Sequence, residues 1–129
     1  MGNYVKRCAQ LRADPDRHYG CSQATFIPVA EAMGIDHETA FKLGAPFRAG
    51  MLTGTVCGAV TGSLMALGLS GASDETVKEF QRIIKERHQG DVSCAGLLER
   101  LGDGDKKSHC DGLCTECAAL VEELLKVSE

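Results

Sequence analysis

A chain of 129 residues with 43% apolar and 25% charged side chains has material for one buried core and no more. Its formal net charge of -4 and pI near 5.5, with lysines and arginines scattered among acids, exclude an electrostatic case for nucleic acid as a partner. Seven cysteines stand at 8, 21, 57, 94, 110, 114 and 117. Their odd count, with no apolar leader after Met1, argues against a disulfide-stapled secreted domain. A reducing, cytoplasmic setting is expected, where cysteines serve as metal ligands or redox groups.

Aromatic residues are few, tryptophan is absent and the apolar spacing is helical rather than alternating. The predicted class is all-α: one domain over 1–129, a helical bundle of about five to six helices around a central glycine-rich helix. A first helix is predicted over 1–18, with Val5, Cys8 and Leu11 at three-residue steps and Pro15 complicating its end. Tyr19-Gly20 breaks the run, and Cys21-Ser22-Gln23 opens a second helix carrying Phe26, Ile27, Val29, Ala30 and Met33, in which Pro28 threatens a kink. Gly34 stops it, and Asp36 caps a short element over 37–43.

Residues 49–73 carry no formal charge and are long enough for a membrane span to be weighed. Threonines 53, 55 and 61, serines 63 and 70 and five glycines between 54 and 71 dilute the stretch, so it is read as a buried central helix. Its glycines 54, 58 and 62 give a face without side chains that a neighbouring backbone or a bulky cofactor could approach. Ser73 or Asp74 then caps a surface helix running to about Gln89, with Val77, Phe80, Ile83 and Ile84 on one face. Cys94 precedes a short helix with Leu97, Leu98 and Leu101 that ends at Gly102, and 102–107 is a mobile polar connector by composition. The last helix is predicted to start between Cys110 and Thr115 and to run through Leu120, Val121, Leu124 and Leu125.

Cys21, Cys57, Cys94 and Cys117 are each predicted at or near a helix start or inside the glycine-rich helix. A helix N-terminus carries positive potential and unpaired N–H groups, which shifts a thiol toward thiolate and suits both metal binding and thiol exchange. Any one of them could equally be a small packed hydrophobe.

Cys57-Gly58-Ala59-Val60-Thr61-Gly62 matches a CGAxxG signature, and with it the chain resembles the C-GCAxxG-C-C family of redox-active proteins. Cys21 with Ser22-Gln23-Ala24 fits the upstream cysteine, and Cys94 and Cys117 fit the two downstream ones, so the resemblance covers nearly the whole chain. The family is similar in part to the iron-sulfur-holding domain of split-Soret-type cytochromes. That implies an iron-sulfur cluster or other metal ion held by Cys21, Cys57, Cys94 and Cys117, with Gly54, Gly58 and Gly62 making room for it. No Cys-x-x-Cys-His sequence supports an attached haem.

Cys110 and Cys114 are additional to that pattern and form Cys-x3-Cys-x2-Cys with Cys117, on one side of a helix if the helix starts early enough. Together with Cys94 or His109 they could hold a tetrahedral zinc. His18, His37 and His88 are read as solvated, and Cys8 as a packed or surface thiol outside both sets. No Ser-His-Asp or phosphate-loop sequence is present.

Three readings follow. In the first, the thiols bind an iron-sulfur cluster or related metal for electron transfer. In the second, Cys57 and Cys21 are redox thiols that exchange disulfides without metal. In the third, the chain is a non-catalytic module with structural zinc. The first is preferred, and the choice between oxidoreductase and electron carrier is open. The expected partner is a redox protein, with a homodimer allowed and neither nucleic acid nor membrane expected.

Overall fold

A computed structural model describes residues 3–127 of the chain. Among the described residues the architecture is all-α, with seven helices: α1 Asn3–Arg12, α2 Cys21–Ala32, α3 His37–Gly44, α4 Gly58–Leu69, α5 Asp74–Arg87, α6 Cys94–Leu101 and α7 Lys106–Val127. The count is slightly above the five to six predicted.

The centre is α2 packed on α4, with α1, α3 and α7 around them. Every residue from Ser22 to Ala30 is buried, which is why α2 has no polar face and why Pro28 is carried inside it: tertiary packing on all sides outweighs the local cost of proline. The buried polar groups of α2 are paired. Gln23 accepts from the Gly20 N–H at 2.9 Å and donates to the Phe41 carbonyl at 2.9 Å, and Ser22 donates to the Gly44 carbonyl at 2.7 Å. Each such pairing avoids the roughly 1–3 kcal/mol penalty of a buried unsatisfied group.

The α2–α4 contact depends on two glycines of the CGAxxG motif. A Cβ at Gly62 would overlap the Thr25 hydroxyl and the Ser22 carbonyl and come within 2.9 Å of Ser22 Cα, while one at Gly58 would lie 3.0 Å from Ser22 N and 3.3 Å from Cys21 Cβ. The neighbour admitted by these glycines is therefore the backbone of α2. Gly54 lies outside the helix, at φ +74° in the turn before it.

The predicted helix over 49–73 is shorter than expected. Residues 49–54 form a tight left-handed turn, with φ of +50° at Ala49, +60° at Met51 and +63° at Leu52, and Thr55 N–H and Oγ1 both donate to the Gly50 carbonyl. The segment then joins the stretch before α6: Val56 bridges Ser93, Cys57 N–H donates to Val92 O at 2.8 Å and Cys94 N–H to Thr55 O at 2.6 Å. Non-glycine residues in this region cost about 1–2 kcal/mol each, so long-range pairing decides the conformation here. No described helix is long and apolar enough to cross a membrane.

The remaining elements follow their caps. Asp36 accepts from Thr39 N–H at 3.0 Å, Ser73 from Thr76 N–H at 3.2 Å and Ser93 from Gly96 N–H at 3.0 Å, starting α3, α5 and α6. Phe80 and Ile84 of α5 are buried as its apolar face requires. Helix α1 ends at Arg12, short of the predicted 18, because Asp14 takes up the N–H groups of Asp16 and Arg17 in a turn. Helix α7 begins at Lys106, earlier than predicted: Asp105 accepts from Lys107 N–H and Ser108 Oγ and turns half of the predicted connector into a first helical turn.

Candidate functional site: a cluster of thiols

The early start of α7 places Cys110, Cys114 and Cys117 at i, i+4 and i+7, on one side of that helix. Cys21 is the first residue of α2, Cys94 the first of α6, and Cys57 the residue capping α4. Cys117 differs from its predicted setting, since it lies near the middle of α7 rather than at a helix start. All seven cysteines are free thiols; Cys8, Cys57, Cys114 and Cys117 are buried, and Cys21, Cys94 and Cys110 are half-buried.

These thiols form one connected group. The Cys21 thiol lies near enough to Cys110 and Cys114 for both to act on its ionisation, and Cys8 acts on that of Cys114. Cys57 lies close enough to Cys94 and Cys110 for their charges to act on it, and its own charge acts on Cys21 and Cys117. The thiols thus lie as neighbours. Among the described residues no three His, Cys, Asp or Glu side chains form a group that could hold a metal ion.

The expected shift toward thiolate does not occur. Desolvation pushes Cys57 up to about 11, although the N–H groups of Ala59 and Val60 at the start of α4 pull the other way. Cys117 is raised by complete burial, and Cys94 by burial and the nearby Cys110. At Cys21 the neighbouring Cys110 lowers the thiol, but Cys114, burial and other sulfur charges outweigh it. Cys110 is raised by the neighbouring Cys21 and by burial. At Cys114 the neighbouring Cys21 lowers the thiol, while Cys8 and burial raise it well above the ordinary range. The helix-terminus potential loses here to dehydration and to the mutual repulsion of sulfur charges.

Two participants escaped the sequence reading. Cys8, read as a packed or surface thiol outside both sets, is fully buried, and its neighbourhood to Cys114 was not foreseen. Arg12 has a side chain only 9% exposed, donates to Asp111 at 2.7 Å and to the Tyr19 carbonyl at 2.9 Å, and acts on Cys21, Cys110 and Cys114 through its charge. A signal existed: Cys8 and Arg12 are four residues apart, on one face of a helix.

His18 is exposed, as expected. His37 and His88, expected at the surface, are half-buried and paired with Glu31 and Glu116. His109 adjoins Cys110, and its Nε2 is buried without a hydrogen-bond partner. Outside the thiol group, Met51 and Leu52 are exposed on the left-handed turn, whose Gly50 faces Cys94 Cβ.

No curated protein and no solved structure gives a significant match to the chain. A family profile does match, over residues 19–124, a span that includes Cys21, the CGAxxG motif, Cys94 and Cys117. The chain belongs to that family, whose description reads "Putative redox-active protein (C_GCAxxG_C_C)".

Proposed function

We propose that this is a redox protein whose working group is the thiol cluster, and that its chemistry is thiol–disulfide exchange. The observation that supports this reading is that half-buried Cys21, at the start of α2, lies near enough to Cys110 and Cys114 of α7 for these thiols to act on one another's ionisation, with α2 packed on α7. Two neighbouring thiols need only a partner disulfide to react. A thiolate attacks that disulfide, a mixed disulfide forms, and the second thiol resolves it, so the pair is oxidised as the partner is reduced. Raised thiols are poor nucleophiles in the resting state, and the Arg12 guanidinium beside Cys21, Cys110 and Cys114 supplies positive potential where the thiolate must form.

An iron-sulfur cluster is the second reading. It is favoured by the four motif cysteines, which come from four helices to one dehydrated region, with amides aimed at Cys57. The donors fit in kind: Cys21, Cys57, Cys94 and Cys117 would hold the cluster, which would supply electron transfer without bond exchange. No three of these side chains group as metal ligands among the described residues, so the exchange reading is placed first.

Anaerobic purification decides between them. Colourless protein in which Cys21 forms a disulfide with Cys110 or Cys114 on addition of oxidised glutathione is the expected result. Visible absorbance with stoichiometric iron would establish the cluster instead, and bound zinc with no redox response would make the chain a structural module.

A further inference from the structure

The chain carries seven arginines, and six of them face a carboxylate: Arg7 meets Glu31, Arg12 Asp111, Arg17 Glu38, Arg82 both Glu79 and Glu86, Arg87 Glu116 and Arg100 Asp91. Arg48 is the exception. Among the described residues its one hydrogen bond runs from Nε to the Ala45 carbonyl at 2.9 Å, which fixes the plane of the guanidinium and leaves both terminal nitrogens without a partner there.

Arg48 also stands beside the thiols. A Cβ on Gly20 would overlap Arg48 Cγ and lie 2.7 Å from its Cδ, so the arginine stem crosses the bare face of the residue before Cys21. Gly20 has a φ of -71°, open to any residue, so the passage of this stem and not the backbone calls for glycine. The Phe47 carbonyl oxygen and Cys21 Cβ lie 3.1 and 3.3 Å from the position of a Cβ on Gly58, the residue after Cys57. Two residues beyond Arg48, a Cβ on Gly50 would come within 2.9 Å of Cys94 Cβ. The segment 47–50 therefore runs between Cys21 and Cys94, the two motif cysteines half-open to solvent, and Arg48 is half-buried on it.

We propose that Arg48 is a substrate-binding residue of the thiol site, whose terminal nitrogens hold a carboxylate of a small disulfide while the disulfide sulfur meets Cys21. This rests on the exchange reading above and names the class of its oxidant: a low-molecular-weight disulfide with a carboxylate a few bonds from sulfur. A guanidinium fork grips a carboxylate through two parallel hydrogen bonds, which sets the orientation of what it holds. The reach fits, because successive Cα atoms are about 3.8 Å apart and a stem lying on Gly20 puts its head within a short side chain's length of Cys21. The net charge of -4 repels an anionic disulfide, so a preference for one has to come from a local cation.

The step conserves electrons. The Cys21 sulfur attacks one sulfur of the disulfide; the bond from Cys21 to that half forms, the substrate S–S bond breaks, and the other half leaves as a thiol with the proton that Cys21 gives up. A second cysteine of the cluster then attacks Cys21, and the first half leaves in the same way. Two electrons and two protons pass from protein to substrate. Arg48 makes and breaks no covalent bond.

The test follows loss of free thiol in the full reduced chain, with oxidised glutathione in one reaction and the same disulfide esterified at its carboxylates in another. Wild type should react about tenfold faster with the free acid. In Arg48→Gln that ratio should fall to about one or below, and Arg48→Lys should keep part of it, as a point charge without the fork. Gly20→Ala, which retains the arginine but displaces its stem, should lower the ratio as well. Because the ratio compares two substrates of one protein, a change in thiol reactivity alone would not move it. A wild-type ratio near one, or a preference that survives in Arg48→Gln, would overturn the assignment while leaving exchange intact. No oxidation by either disulfide would overturn the exchange reading and this inference with it. The wild-type ratio decides the matter alone if no variant folds.

Discussion

The two sides of the thiol cluster differ in what surrounds the sulfur. Cys21, Cys94 and Cys110 stand at helix ends or on the first turns of α7, half-open to solvent, whereas Cys8, Cys114 and Cys117 are walled in by α1, α2, α4 and α7. Both groups are nonetheless held protonated wherever a shift is resolved, by the same combination of burial and neighbouring sulfur. Position at a helix start decides which thiols can be reached, and packing decides which can ionise. A cysteine at a helix N-terminus is reactive only while water or a cation balances its charge.

The largest effect on that contrast should come from Gly62→Ala. The added methyl would force α2 from α4 and open the partition between Cys21 and Cys57, at a cost of about 3 kcal/mol. Thermal unfolding should shift down by about 10 °C, and interior cysteines should become alkylated at rates nearer those of Cys94. An unchanged melting temperature would show that the two helices have slack that the close contacts deny.

A somewhat smaller effect is expected from alkali. Cys57 ionises at about 11 in the fold against an ordinary 9.0, so its burial contributes stability that is complete below pH 9 and is lost as pH rises through 11. For this residue alone the loss is about 2 to 3 kcal/mol, and the other raised thiols act in the same direction. Denaturant midpoints measured from pH 7 to 11 should therefore fall in the reduced protein and fall less once the cysteines are oxidised. A flat profile in the reduced protein would mean that sulfur is not dehydrated there.

The smallest change sharpens the comparison by leaving the cluster untouched. Ser73→Ala removes the exposed cap of α5, a helix that carries no cysteine, and should cost about 1 kcal/mol. Alkylation rates of all seven thiols under native conditions should stay at wild-type values. Faster alkylation of Cys114 or Cys117 would show that α5 and the cluster unfold together.

Elements with a cap and a one-sided apolar stripe were legible in the chain itself, α5 most fully, since Ser73, Phe80 and Ile84 do what local chemistry asks of them. The turn at 49–54 was not. Its glycines and apolar residues read as helix, and only the pairing of residues 55–57 with 92–94, distant in sequence, holds Met51 and Leu52 in a left-handed conformation. The start of α7 was hidden by glycines 102 and 104 and the paired lysines, although Asp105 caps from among them. For the site, the cysteine number could be read in advance, and so could the helix-start positions of Cys21 and Cys94, whereas Cys57, read as lying inside a longer helix, caps α4. The neighbourhood of Cys8 and Cys114 could not, because it comes from the packing of α1 on α7, nearly the whole length of the chain apart.

The dehydration of these sulfurs ties two currencies together. An interior that refuses isolated negative charge accepts a pair of electrons only with a pair of protons, and releases them on the same terms. Acidity of the medium is therefore a reactant in any change of oxidation state among these cysteines.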